Sequence, residues 1–254
     1  MKRALLIGID YIGTNNYLSG CIDDVNNSYQ LLKTQYGYDE ILLLTDATRF
    51  QPFQSVIYKG LDWLLSDQPS SSFQTGKKYN ASSKNLELFV HYSGHGTNDC
   101  WCPLDADKGY QRLISGQVLQ EKLIRRLNNN SSLTLLMDCC HSGNMLKLGY
   151  SSQVSLTSGN IITAKVDTNV HKGTIVCLAG CTDSQTSANV TIDHKGEGVL
   201  TYSLIQVLSS SSNLNYGTLL PKIQEYILLN HLSQQTPVLT YNRQDILQDK
   251  FLNS

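Results

Sequence analysis

Two short stretches of reactive side chains each follow a run of mostly apolar residues. Residues 133–137 are followed by an acid, two thiols, an imidazole, a serine and a glycine at positions 138–143. Residues 86–92 are followed by Ser93, a glycine, His95 and a second glycine. Such apolar runs predict buried strands, and ligands bind open α/β sheets where the strands end. A thiol and an imidazole at one sheet edge would allow nucleophilic catalysis.

Cys140 is the predicted nucleophile and His95 its predicted proton partner. A thiol attacks well only as a thiolate, so it needs a base, and a histidine can take that proton and later give it to the leaving amine. The glycines on both sides of His95 allow a substrate to approach the backbone closely. The amides near Gly96 and Cys140 are expected to hold the oxyanion.

Three neighbouring side chains are predicted to have other roles. Cys139 should point to the opposite side of the strand from Cys140 and pack in the core, because side chains alternate along a strand. His91 lies inside a strand and is interpreted as structural. His141 adjoins the nucleophile, but adjacent side chains diverge on an extended backbone.

The two reactive stretches resemble the two catalytic motifs of the metacaspases, which are caspase-like cysteine peptidases. Residues 20–24, Gly-Cys-Ile-Asp-Asp, resemble the early Gly-Cys-x-x-Asp element of that family, and residues 179–188 resemble the segment that opens its small-subunit region. The four motifs follow the family's order and span most of the chain. The resemblance implies a caspase-like fold, a catalytic dyad of Cys140 and His95, and peptidase activity.

Carboxylates suggest which residue is cleaved. Asp138 lies two residues before Cys140, on the same side of the predicted strand. In metacaspases the corresponding acid and the acid of the early motif, here Asp24, line a pocket for the residue before the scissile bond, and Cys21 and Ser93 match further pocket positions. Two buried carboxylates repel each other unless a cation joins them, so this pocket should favour Arg or Lys and disfavour Asp. The alternative for Asp24 is an acid that interacts with a helix N-terminus.

The chain departs from the family where calcium is concerned. Many metacaspases are activated by calcium bound to several acids after the catalytic histidine and after the cysteine. Here residues 113–117 contain no acid, Asn98 stands where an acid is expected, and Lys147 follows the nucleophile. The acids that remain nearby are Asp99, Asp105 and Asp107. They lack a recognisable calcium-loop spacing, so we expect no metal site of the usual kind and no cofactor.

Two alternatives to a peptidase remain to be tested. In the first, a metal-binding module holds zinc through Cys100, Cys102, Cys139, Cys140 and neighbouring histidines, although the spacing of these residues does not match usual zinc ligands. In the second, a catalytically silent caspase-like scaffold only binds partners. The presence of both Cys140 and His95 favours the peptidase.

Composition indicates one domain and no polyanionic partner. A chain of 254 residues with 41% apolar content can bury one sizeable core. We expect a single caspase-like catalytic domain over 1–254, with a large-subunit-like region at 1–146, a connector at 147–172 and a small-subunit-like region at 173–254. Formal net charge is −1 and the basic residues are scattered, so no nucleic-acid surface is expected.

Cysteine usage and the first residues indicate the compartment. The seven cysteines are odd in number and lack a regular framework, which favours a reducing environment. The apolar run at residues 4–9 ends at Asp10, too early for a signal peptide, and no run is long enough to span a membrane. We expect a soluble, cytoplasmic protein that acts on proteins or peptides with Arg or Lys before the cut. The family resemblance implies a monomer.

The order of elements predicts the fold class. Strands are predicted at 5–9, 41–44, 86–92, 133–137, 174–179 and 237–241, the last of them at a sheet edge. Helices are predicted at 23–36, 52–65, 117–127, 199–208 and 217–229. Strand, helix, strand order implies right-handed parallel crossovers, so we predict an α/β fold, a three-layer α/β/α sandwich around a mostly parallel six-strand core sheet. The caspase-like fold implied by the resemblance agrees.

Self-cleavage is left open by the sequence. The first strand begins almost at Met1, so no N-terminal pro-segment is expected. An enzyme specific for Arg and Lys could cut itself in a Ser/Asn-rich loop. The candidate residues are Lys147, Lys165 and Lys172, with Lys77 and Lys78 as alternatives.

Overall fold

The computed structural model describes residues 1–139, 145–167, 171–180, 189–192, 195–211, 213–233 and 235–252. Its strands are β1 Lys2–Gly8, β2 Glu40–Thr45, β3 Glu87–Ser93, β4 Gly96–Thr97, β5 Cys100–Trp101, β6 Ile114–Ser115, β7 Ser132–Asp138, β8 Tyr150–Val154, β9 Ile161–Lys165, β10 Thr174–Ala179, β11 Asn189–Ile192, β12 Lys195–Gly198 and β13 Val238–Tyr241. Its α-helices are α1 Cys21–Gln35, α2 Gln54–Leu64, α3 Gly116–Lys122, α4 Val199–Ser210 and α5 Tyr216–Leu229.

A central sheet of eight strands runs in the order β2-β1-β3-β7-β10-β13-β8-β9. The first five strands are parallel, and β13, β8 and β9 continue the sheet with antiparallel pairing. The six strands predicted from sequence form its contiguous part from β2 to β13. The prediction of a mostly parallel core sheet is therefore confirmed.

The position predicted for β13 is wrong, because this strand is not at the edge of the sheet. Its outer side pairs with β8, and β8 pairs with β9. Both additional strands lie inside the segment 147–172, which the sequence analysis describes only as a connector. Of the two strands only Ser152 and Val154 are buried, and an exposed edge strand does not need an apolar face.

Helices cover both faces of the sheet, and each face has its own apolar core. Strand alternation separates them: Leu5 and Ile7 of β1 pack in the core that includes α2, whereas Ala4 and Leu6 pack in the core that includes α1, α4 and α5. This arrangement confirms the three-layer α/β/α sandwich.

Helix boundaries follow local chemistry. Helix α1 begins after Gly20, whose φ of 104° suits glycine, and it carries Asp23 and Asp24 in its first turn. The amide of Tyr38 then donates to the carbonyl of Leu32, past Gly37 with φ of 65°, so a left-handed glycine follows the end of the helix. Helix α3 is shorter than predicted and gives way to a 3-10 turn at Ile124–Arg126.

The chain beyond β3 forms a small antiparallel sheet of β4, β5 and β6. Trp101 of β5 is fully buried and its ring stacks on Tyr92 of β3, with 4.6 Å between the centroids. In the part of the chain that the structure describes, no helix has both the length and the apolar character needed to cross a bilayer.

Candidate active site

The carboxyl ends of three neighbouring strands form the site. In the register of β1, β3 and β7, Gly8 is aligned with Ser93 and Ser93 with Asp138. His95 follows Ser93 by two residues. The predicted nucleophile Cys140 follows Asp138 by two residues in the sequence and lies outside the residues that the structure describes, as does His141.

His95 is half-buried and its imidazole is held by a backbone carbonyl. The Nε2 atom lies 2.8 Å from the carbonyl oxygen of Asn16. A carbonyl oxygen can only accept a hydrogen bond, so this contact assigns the proton to Nε2. The Nδ1 atom is then the one that can take up a proton from another group.

Two buried tyrosines hold the backbone around His95. The His95 amide donates to the hydroxyl of Tyr11 over 3.0 Å, and the Tyr92 hydroxyl donates to the His95 carbonyl over 2.8 Å. Tyr11 in turn donates to the carbonyl of Cys102 over 2.5 Å, and its ring lies 4.8 Å from that of His95. Gly94 fits between them, since a Cβ there would lie 3.1 Å and 3.2 Å from the two hydroxyls. Sequence reasoning missed both tyrosines.

The two predicted pocket acids are buried and close together. Asp24 is 1% exposed and Asp138 is 5% exposed. Asp24 accepts hydrogen bonds from the Ser93 hydroxyl over 2.7 Å and from the Gly198 amide over 3.0 Å to Oδ1. Asp138 accepts from the amide of Thr201 over 2.9 Å. Both donor amides belong to the N-terminus of α4, where unpaired amide groups and the helix dipole favour negative charge.

Gly198 marks the point where the carboxylates meet. A Cβ at this position would collide with the Asp138 carboxylate, with its Cγ at 2.5 Å, and would lie 2.9 Å from Oδ2 of Asp24. Real Cβ atoms do not approach other atoms so closely, so only glycine fits here. Sequence reasoning missed this residue, which lies 60 positions or more from either acid.

Burial changes the proton affinity of this cluster. Desolvation raises the pKa of Asp138 to about 6, although the hydrogen bonds from Thr201 and Leu200 work in the opposite direction. Cys21 is 4% exposed, and burial raises the pKa of its thiol well above the usual value, with a further rise from the neighbouring Asp24 and a lowering from its hydrogen bond with Ser93. The structure thus brings Cys21, Asp24, Ser93 and Asp138 together.

His91 lies in the core below this cluster. Its Nδ1 is 2.9 Å from the hydroxyl of Ser28 in α1 and its Nε2 is 3.1 Å from the hydroxyl of Thr201 in α4. Complete burial lowers the pKa of His91 to about 3, so the ring is neutral at ordinary pH. Its placement agrees with the structural role inferred for it.

Several residues at the positions where calcium ligands are expected line a cavity of about 390 Å³. Asn98, Asp99, Gln117 and Lys147 are among its lining residues. Within the described residues, no cluster of three or more His, Cys, Asp or Glu side chains is arranged to hold a metal ion. Of the fourth motif, Ala179 and Gly180 are described, and residues 181–188 lie outside the described part.

A family model described as metacaspase, peptidase C14 domain, matches residues 2–149, more than half of the chain. The chain belongs to the metacaspase family. Metacaspases are caspase-like cysteine peptidases, and the matched segment contains the residues predicted for the dyad and the acid pocket.

Individual metacaspases are similar over most of this chain. Metacaspase-1 of Schizosaccharomyces pombe is 30% identical over an alignment of 297 positions, gaps included, that covers 92% of this chain and 65% of that protein. Metacaspase-1 of Candida albicans is 30% identical over an alignment of 304 positions, gaps included, that covers 94% of this chain and 64% of that protein. This chain therefore matches less than two thirds of the length of these metacaspases.

A solved structure supports the fold. The crystal structure of a Geobacter sulfurreducens protein superimposes with a TM-score of 0.63 and covers 99% of this chain and 97% of its own. The two sequences are 16% identical, so the likeness concerns the fold alone.

Proposed function

We propose that this metacaspase is an endopeptidase that cleaves after Arg or Lys through Cys140 and His95. The observation that carries the proposal is the meeting of two buried carboxylates, Asp24 and Asp138, at Gly198. Two negative charges in a desolvated site are unfavourable alone and become favourable when a cation joins them. A guanidinium or ammonium group is therefore the side chain that this site would bind best, whereas an acidic side chain would be repelled.

The position of the pocket relative to His95 supports the choice of scissile bond. Ser93 donates to Asp24 and precedes His95 by two residues, while Asp138 precedes Cys140 by two. A basic side chain bound between the acids would bring its own carbonyl carbon to the end of the sheet, where the imidazole lies. This positioning makes the attack effectively intramolecular.

The reaction then proceeds in two stages. The Cys140 thiol gives its proton to Nδ1 of His95, and the resulting thiolate attacks the carbonyl carbon. The amides near Gly96 and Cys140 stabilise the oxyanion. His95, held through Nε2 by the Asn16 carbonyl, delivers the proton on Nδ1 to the leaving amine. An acyl-enzyme remains, and His95 then takes a proton from the water that hydrolyses it.

Internally quenched peptides that differ only in the residue before the cut test this proposal. The set contains Arg, Lys and Asp at that position, and the enzymes are the wild type, Cys140→Ala and Cys139→Ala. We expect cleavage of the Arg and Lys peptides, little or none of the Asp peptide, and a loss of about 10³-fold or more in Cys140→Ala. Cys139, which is buried and adjacent in sequence, serves as the matched control.

Each contrary result has a distinct meaning. A preference for Asp would contradict the assignment of the acid pocket. Cleavage by Cys140→Ala, or its loss in a folded Cys139→Ala, would contradict the choice of nucleophile. Failure to cleave any peptide would favour the catalytically silent scaffold.

We also propose that catalysis requires no cofactor and that the enzyme acts on protein substrates as a cytoplasmic monomer. Cys21, Cys100 and Cys177 carry free thiols, which suits a reducing compartment. Size-exclusion chromatography with light scattering measures the oligomeric state.

We propose self-cleavage at Lys78, Lys147 or Lys172 in preference to Lys165. The first three residues are exposed and lie outside helices and strands, whereas Lys165 is the last residue of β9 and is paired in the sheet. Peptidases cut exposed, unpaired chain more readily than strands. Mass spectrometry of the wild type beside Cys140→Ala identifies any site.

A further inference from the structure

A second cavity lies directly beside His95 and has no role in the mechanism above. Its volume is about 350 Å³, within the range of small ligand pockets. His95 and Gly96 form one wall. The acid pocket lies on the face of the sheet covered by α1 and α4, whereas Cys102 and Leu104 of this cavity pack against the core on the opposite face.

We infer that this cavity binds the side chain of the residue that follows the scissile bond. The inference rests on the proposed function, because it takes His95 as the donor to the leaving amine. That amine belongs to the residue after the cut, so this residue must pass the imidazole. In an extended peptide, successive side chains point to opposite sides. A basic side chain directed towards Asp24 and Asp138 therefore directs the next side chain away from them, to the side on which the cavity opens.

The lining of the cavity specifies the chemical class of this side chain. Its inner wall is apolar and includes Pro103, Leu104, Ala106 and Leu113. Of its polar lining residues, Thr14, Asn16 and Asp107 are exposed and lie at the rim, and Thr97 is half-buried. An apolar side chain of the size of Leu or Phe would bury its surface there. An acidic one would be desolvated against an apolar wall and would face the carboxylate of Asp107.

Peptides that vary only the residue after the cut test this inference. Each carries Arg before the cut, followed by Leu, Phe, Gly or Asp, and the measured quantity is kcat/KM by the wild type. We expect Leu and Phe to exceed Gly by about tenfold and Asp to be the poorest, since filling an apolar pocket typically discriminates by roughly 10–200-fold.

A variant that fills the cavity links this preference to the site. Ala106→Phe should reduce the ratio of kcat/KM for the Leu peptide to that for the Gly peptide to within about twofold. The ratio is taken within each enzyme, so a general loss of activity cancels. Ala164→Phe makes the same change at an exposed position on β9 and should keep the wild-type ratio.

The outcomes separate this inference from the proposed function. Equal cleavage of the Leu, Phe and Gly peptides by the wild type overturns the inference and leaves the Arg/Lys peptidase intact. A wild-type preference that persists in folded Ala106→Phe overturns the assignment to this cavity. If no peptide is cleaved, the proposed function fails and the inference falls with it.

Discussion

The hydroxyl of Ser93 donates a hydrogen bond to the carboxylate of Asp24 across 2.7 Å, although the two residues are 69 positions apart. This contact joins the end of β3 to the first turn of α1. The Gly198 amide approaches the same carboxylate, at 3.0 Å and 3.2 Å from its two oxygens. Asp24 is thus an acid at a helix N-terminus, as the alternative interpretation held, and its role in binding a basic substrate residue stays a prediction.

Removing the Ser93 hydroxyl should weaken recognition of basic substrates. Ser93→Ala leaves Asp24 with one fewer donor, and a hydrogen bond to a charged group contributes about 1.5–3 kcal/mol. We expect kcat/KM for Arg peptides to fall by roughly tenfold or more. Ser132→Ala is the control, because Ser132 lies at the amino end of β7, away from Asp138 at its carboxyl end. Unchanged kinetics in Ser93→Ala would show that this hydroxyl does not orient the acid during binding.

The buried Asp138 should give both activity and stability a pH dependence near 6. Because the pKa of Asp138 is raised to about 6, this carboxyl is protonated below that pH in the free enzyme and cannot pair with a cation. We expect kcat/KM for Arg peptides to rise as the pH increases through about 6. A profile that is flat from about pH 5 to 8 would contradict this expectation.

The effect on stability has the opposite sign. Since the folded-state pKa of Asp138 lies above the usual value, the folded protein binds the proton more tightly, and this contribution is lost as the pH rises through about 6. Asp138→Asn should therefore raise the melting temperature relative to wild type by about 5 °C more at pH 8 than at pH 5, while abolishing cleavage after Arg. Exposed Asp39→Asn is the control. An equal change at both pH values would contradict the raised pKa.

Tyr11→Phe should lower turnover with little change in substrate affinity. The variant removes the acceptor of the His95 amide and the donor to the Cys102 carbonyl. Because these groups hold the histidine loop and do not touch the acid pocket, we expect kcat to fall by about tenfold and KM to stay within about twofold. Tyr17→Phe, at an exposed tyrosine, is the matched control. A change confined to KM would argue against a positioning role.

Gly198→Ala should abolish cleavage after Arg and Lys. The added methyl group collides with the Asp138 carboxylate and crowds Asp24, so the acids must separate. We expect a loss of about 100-fold or more, together with a lower melting temperature. Gly149→Ala is the control, because a Cβ there meets its neighbours at 3.7 Å or more. Full activity in Gly198→Ala would rule out the pocket as described.

Calcium should not be required for activity. Among its described lining residues, the cavity at the expected calcium position has one acid, Asp99, beside Lys147 and Arg125. Hard divalent cations need several oxygen ligands. Peptide cleavage should change by less than about twofold between excess chelator and millimolar calcium. Activity seen only with calcium would overturn this expectation.

The sequence predicts those site residues that lie at the ends of the apolar strands. Apolar runs followed by Ser93 and Asp138 place these residues at one sheet edge, and parallel pairing brings them into the same register. It could not predict the Asn16 carbonyl, because every residue carries one and only the fold selects which carbonyl faces His95. Strands β8 and β9 were missed because only Ser152 and Val154 of their ten residues are buried, so they lack the apolar run that marks the central strands. Tyr11 had only a weak signal in the sequence, because it is an aromatic residue that follows the first strand and Asp10.

His91 links the two helices that hold the proposed specificity acids. His91 contacts Ser28 of α1, the helix that carries Asp24, and Thr201 of α4, whose amide holds Asp138. A neutral, fully buried side chain thus connects the two elements that hold these acids. We accordingly expect a basic residue to bind to a preformed site, with little rearrangement of α1 and α4.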